Sequence, residues 1–105
     1  MAIQVSTEIL EGSVLSLLTR EDYYGYAITR EVQKVFPISE STMYPILRRL
    51  KKMGWLETYD QAYEGRNRRY YKITELGLDE LTRIRANWKE LREATDIILE
   101  GNDGN

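Results

Sequence analysis

The 105-residue chain contains no cysteine and no histidine. Without cysteine there is no disulfide framework, no thiolate nucleophile and no thiolate metal site. Without histidine, the usual general base near neutral pH and the commonest zinc ligand are gone. No apolar run approaches the ~18 residues that a membrane span requires, and the N-terminus lacks a basic-then-apolar secretory signal. Most hydrolytic and metal chemistries are thereby disfavoured, and no cofactor or metal is expected. The carboxylates that remain, such as Asp79 and Glu80, sit at helical spacing in a chain that is 30 % charged. They read as surface residues, so an enzyme is not expected. A binding protein of the cytoplasm is.

What is present is ordinary globular material for one domain, 42 % hydrophobic with a net charge of −2. That average hides a division. Residues 44–72 hold eight basic residues (Arg48, Arg49, Lys51, Lys52, Arg66, Arg68, Arg69, Lys72) and three acidic ones, a balance of +5. The rest of the chain stands at −7. A basic block in an acidic protein attracts a polyanion to one face, although a solvated charged face has the same composition. Five of the eight tyrosines share the block.

Leu10, Val14, Leu17 and Leu18 recur at helical spacing and predict a first helix over 6–18, with Ser6 or Thr7 as N-cap. The polar stretch 19–24 ends it. A second helix follows over about 25–35, with Ala27, Ile28, Val32 and Val35 on one face. A third begins at Ser39, buries Met43, Ile46, Leu47, Leu50 and Met53, and stops at Gly54. The pattern then shifts to Tyr, Thr and Ile. Strands over 56–63 and 69–73, joined by a basic loop at 64–68, form a hairpin that must pack on the helices. This is the element order of a winged helix-turn-helix, a mainly α (α+β) class. From Thr74 a last helix runs to about Glu100, roughly 40 Å at 1.5 Å per residue. Leu81, Ile84, Trp88, Leu91 and Ile98, with Thr95 between the last two, follow the 3-4 spacing of a coiled-coil seam. A second copy of the chain is the expected cover, making this the dimer interface; a helix folded back on its own domain is the alternative. The expected divisions are 1–73 for the DNA-binding domain, 74–100 for the dimerisation helix and 101–105 for a flexible tail.

In a helix-turn-helix the second of the paired helices enters the major groove with its N-terminal residues on base edges. Here that places Ser39, Ser41, Thr42 and Tyr44 at the bases, with Arg48 and Lys51 extending the surface. One of the two serines has a second role as cap. The hairpin adds Arg66, Asn67, Arg68 and Arg69 on a mobile tip suited to phosphate or minor-groove contact. Of Tyr70 and Tyr71, one should face the core. Pro45 removes a backbone donor from the third helix, which calls for a kink or a late helix start.

The chain resembles the PadR family of winged-helix transcriptional regulators. The matching segments are EILEGSVLSLL (8–18), GYAITREV (25–32), STMYPILRRLKKMGWLE (41–57) and RRYYKITELG (68–77). Pro45 belongs to the family pattern; Tyr24 departs from it, standing where a histidine often precedes the Gly-Tyr pair. The resemblance implies a dimeric DNA-binding regulator of the short subfamily, most members being repressors. Trp88 fits two roles. It is a large knob in the seam, or half of an aromatic platform facing its symmetry mate. The ANWKEL segment (86–91) is similar to the setting of a tryptophan in the multidrug-responsive branch, which implies a planar aromatic ligand between two Trp88 side chains. Leu91 would add an apolar wall, with Glu8 and Glu11 turned toward a cationic ligand. The partners expected are a pseudo-palindromic duplex DNA, a second copy of the chain and such a ligand. The competing function is an interaction module or small-molecule sensor that binds no specific DNA.

Overall fold

Side-chain caps fix where three of the helices begin in the computed structural model, which describes residues 4–101. The Ser6 hydroxyl accepts from the Ile9 amide and starts α1 (Thr7–Leu17). Tyr23–Tyr24 form a short strand, β1, and lead directly into α2 (Gly25–Gln33). Ser39 accepts from the Thr42 amide and starts α3 (Glu40–Lys52), which Gly54 ends at φ 81°. After β2 (Leu56–Tyr63) and β3 (Arg66–Ile73), Thr74 caps α4 (Glu75–Glu100). Gly101, in the left-handed conformation, closes α4. Of the tail expected at 101–105, residues 102–105 lie outside the described residues.

The sheet is antiparallel in the order β1-β3-β2. Strand β1, placed by the sequence reading in a polar connection, pairs Tyr23 with Tyr71 and Tyr24 with Tyr70. Two residues are too short a run to show strand alternation. The hairpin turn is also tighter than the expected five-residue loop. Glu64 (φ 50°) and Gly65 (φ 77°) alone reverse the chain, both at the positive φ that a two-residue turn of matching twist requires. Arg66, Asn67 and Arg68 therefore belong to a strand and not to a loose tip.

The core gathers around α1. Val14 and Leu15 meet Ile28 of α2, Met43 and Leu50 of α3, and Leu56 of β2, all nearly inaccessible. Two expected core positions lie outside it. Val35 is 69 % exposed beyond the end of α2, and Met53 is exposed as the C-cap of α3. Buried Thr29 takes the α2 place instead, donating its hydroxyl proton to the Gly25 carbonyl at 3.3 Å.

The larger correction concerns α4. Leu81 and Ile84, assigned from the heptad spacing to a seam between chains, are each only 3 % exposed and belong to this chain's own core. A Cβ added at Gly12 of α1 would lie 2.7 Å from Ile84 Cγ2, so the missing side chain is what lets the two helices approach. The start of α4 is held as firmly. The Thr74 hydroxyl donates to the Gly54 carbonyl at 2.6 Å, and a side chain at Gly77 would collide with the Trp55 carbonyl. Beyond Ile84 the apolar positions are uncovered, with Trp88 46 %, Leu91 59 % and Ile98 80 % exposed. The helix thus overhangs its domain. The molecule measures 61 × 33 × 21 Å, with a radius of gyration of 16.0 Å against about 13 Å for a compact domain of this size.

Candidate nucleic-acid interface

One side of α3 packs and the other is left open. Met43, Ile46, Leu47 and Leu50 are buried, whereas Ser41, Tyr44, Pro45, Arg48 and Lys52 follow helical spacing along the exposed side. Pro45 removes the amide that would bond the Ser41 carbonyl one turn earlier. Both residues are exposed, so water can take that bond. At the helix start, the Ser39 hydroxyl lies 2.9 Å from that of Ser41 and 3.1 Å from that of Thr42. These three hydroxyls, together with the unbonded amides of a first helical turn, offer donors to a phosphate or a base edge.

The basic residues of α3 divide into two kinds. Arg49 turns back toward α1, where its Nε donates to Glu11 Oε2 at 2.7 Å, and its guanidinium lies 5.4 Å from the Trp55 ring centroid. The Glu11 side chain is only 5 % exposed, so Arg49 is its counter-charge. Arg48, Lys51 and Lys52 are exposed and have no ion-pair partner among the described residues.

The hairpin divides in the same way. Arg66, beside the turn, is exposed and unpaired among the described residues, and Asn67 is exposed next to it. Arg69 pairs with Asp60 across the strands at 3.4 Å. Arg68 points to the opposite sheet face, where its guanidinium lies 4.2 Å from the Tyr24 ring centroid and 3.9 Å from that of Tyr63. Tyr71 is the tyrosine that turns to the core. Tyr70 faces outward and stacks on Tyr59 at 5.6 Å and 15°. The Tyr59 hydroxyl donates to Asp22 at 2.7 Å, and this bond to a carboxylate pushes its pKa up to about 12. The sequence shows the tyrosines but not this ladder, because Tyr24, Tyr59 and Tyr70 become neighbours only through strand register.

A separate apolar groove of about 700 Å³ opens between α1, the end of α2 and α4. Ile9, Val32, Phe36, Ile84, Trp88 and Leu91 line it, so Trp88 and Leu91 do meet in one concavity. Glu8 and Glu11 do not line it. Glu11 points to Arg49, and Glu8 accepts from Arg83 at 3.2 Å and from Asn87 at 3.4 Å. The charged residues at the groove are Glu31 and Arg85, which the sequence reading missed because helices distant in sequence supply them. Arg83 also binds Glu80 and holds that carboxyl below its ordinary range.

Residues 14–83 match the model of the transcriptional regulator PadR-like family. A transcriptional regulator of Mycobacterium tuberculosis is 34 % identical over 71 residues, covering 67 % of this chain and 66 % of that protein. Among solved structures, a Streptococcus mutans protein superposes with a TM-score of 0.89 at 38 % identity, covering 96 % of this chain and 95 % of the other. A PadR-like transcriptional regulator from Bacillus cereus gives 0.80 at 31 % identity, with 90 % and 94 % covered.

The division of arginines has a measurable consequence. Replacing Arg49 with alanine strands the Glu11 carboxylate in the core and should destabilise the fold by about 2 kcal/mol, between the values of exposed and fully buried pairs. Arg48→Ala should leave stability within about 0.5 kcal/mol. Urea unfolding of the two variants checks this; equal midpoints would show the Arg49 contact to be idle.

Proposed function

The chain belongs to the PadR-like family of transcriptional regulators, and from that premise we propose that it is a homodimeric repressor released from DNA by a planar aromatic ligand. The family's members regulate transcription and are not enzymes. The observation that carries the reading is the open side of α3, where Arg48, Lys51 and Lys52 are unpaired among the described residues, behind a hydroxyl-bearing first turn. In this reading Ser39, Ser41, Thr42 and Tyr44 meet base edges in the major groove. Arg48, Lys51 and Arg66 neutralise phosphates, with Asn67 and Arg69 on the other face of the hairpin. Such a protein works in the cytoplasm, beside the DNA it reads.

The overhang of α4 supports pairing. Exposed Trp88, Leu91 and Ile98 would forfeit about 25 cal/mol for each Å² of apolar surface left in water. A second copy supplies a matching stripe. Two recognition helices about 34 Å apart, or a multiple of that, then read a pseudo-palindrome. The groove beside Trp88 has the size and apolar lining of a small-molecule site. A ligand there weakens DNA binding only if it prefers the dimer geometry that does not fit DNA, and DNA then weakens the ligand equally.

Titration of a labelled duplex at several salt concentrations tests the DNA interface. Arg48→Ala and Arg66→Ala should each reduce the slope of log K against log salt by about 1.8, one phosphate contact per subunit of the pair. Slopes equal to that of the unaltered protein would remove both residues from the interface. In sedimentation at micromolar concentration the protein should run at twice its chain mass; a single-chain species would end the pairing. Planar aromatic cations should quench tryptophan emission more in the unaltered protein than in Trp88→Ala, where Trp55 alone reports. Equal quenching in both would end the ligand reading.

A further inference from the structure

The two strands of the wing extend beyond the rest of the sheet. Strand β1 pairs only with Tyr70 and Tyr71, so residues 66–69 of β3 bond to β2 alone. A two-stranded ribbon in water is marginal by itself. On one face the Asp60–Arg69 pair crosses the overhang, but its side chains are 49 % and 59 % exposed, and such pairs contribute little. The other face carries a different arrangement. The Arg68 guanidinium lies against two rings, 4.2 Å from the centroid of Tyr24 and 3.9 Å from that of Tyr63.

These two rings belong to different parts of the molecule. Tyr63 precedes the turn and is paired with Arg66, at the far end of the wing. Tyr24 lies in the body: it is the N-cap residue of α2, it pairs with Tyr70, and its ring packs at 6.3 Å from Tyr26 and 5.9 Å from Tyr70. Arg68 therefore joins the wing tip to the first turn of the helix-turn-helix. We propose that Tyr24, Arg68 and Tyr63 form a clamp that fixes the wing against α2, with Arg68 a positioning residue for DNA binding and not a phosphate contact. This rests on the DNA-binding reading above. It also gives Tyr24 a role: a flat, partly buried ring on which the arginine lies. Arg66, two residues nearer the turn and unpaired among the described residues, keeps the phosphate contact.

Two measurements decide the matter. The first is amide hydrogen exchange over residues 61–69 of the free protein, and the second is binding of a mixed-sequence duplex at three salt concentrations. Arg68→Ala should speed wing exchange and weaken duplex binding by roughly tenfold, the scale of two partly exposed cation–π contacts, and Tyr63→Leu, which removes one of them, by about threefold. The double variant should be no worse than Arg68→Ala, because the Tyr63 contact is already lost with the arginine. Arg68→Ala should leave the salt slope unchanged, whereas Arg66→Ala should lower it by about 1.8, one contact per subunit, without altering exchange. The clamp is overturned if wing exchange stays unchanged in both Arg68→Ala and Tyr63→Leu. The positioning role is overturned if Arg68→Ala lowers the slope as Arg66→Ala does. Tyr63 is 45 % exposed, so its replacement leaves the core intact. Should the unaltered protein bind no duplex, the DNA reading fails, and the exchange measurement still decides whether the clamp exists.

Discussion

The contact between α1 and α4 at Gly12 and Ile84 is the constraint on which the rest of the molecule depends. Because position 12 has no side chain, Ile84 can enter the space above the α1 backbone, and Leu81 follows it into the core. That contact sets the direction of α4 and determines where its in-chain cover ends. Helix α1 also holds α3. Glu11, one residue before Gly12, accepts from Arg49 of α3. A single helix thus fixes both the element that overhangs and the element that keeps an open basic side. Glu8, one turn earlier, adds a third tie through Arg83.

The basic block of the sequence is not one surface. Its eight cations separate by what their neighbours require. Arg49 neutralises a buried carboxylate, Arg69 crosses the hairpin to Asp60, and Arg68 lies between two tyrosine rings. Arg48, Lys51, Lys52, Arg66 and Lys72 are left without such obligations among the described residues. A count of positive charge along the chain therefore overstates the charge available to a polyanion. Field strength at the interface depends on the unpaired cations.

The same separation explains which expectations the sequence supported. Helix starts at Ser6, Ser39 and Thr74 were legible because a cap is a local event, needing only an oxygen three residues before an amide. The core sides of α1 and α3 were legible from period alone, and so was the strand Leu56–Tyr63. The PadR-like resemblance was legible in the segments around Pro45 and Arg68. Strand β1 was not, since two residues carry no alternation and only pairing with Tyr70 and Tyr71 defines them. The early start of β3 was missed because a five-residue polar stretch conceals a two-residue turn until its φ angles are known.

What the sequence determined by itself is the kind of each element and the apolar stripe on it, because periodicity and capping act within a few residues. What the tertiary structure decided is which partner each stripe and each charge meets. The regular spacing of Leu81, Ile84, Trp88, Leu91 and Ile98 is blind to the difference between a neighbour in the same chain and one in another. Burial of the first two against α1 shows that their neighbours lie in the same chain, while the last three are left exposed. Glu11 likewise shows no destination in the sequence, and Arg49 lies 38 residues away. Contacts across that separation arise from how the helices stack, which no local pattern encodes.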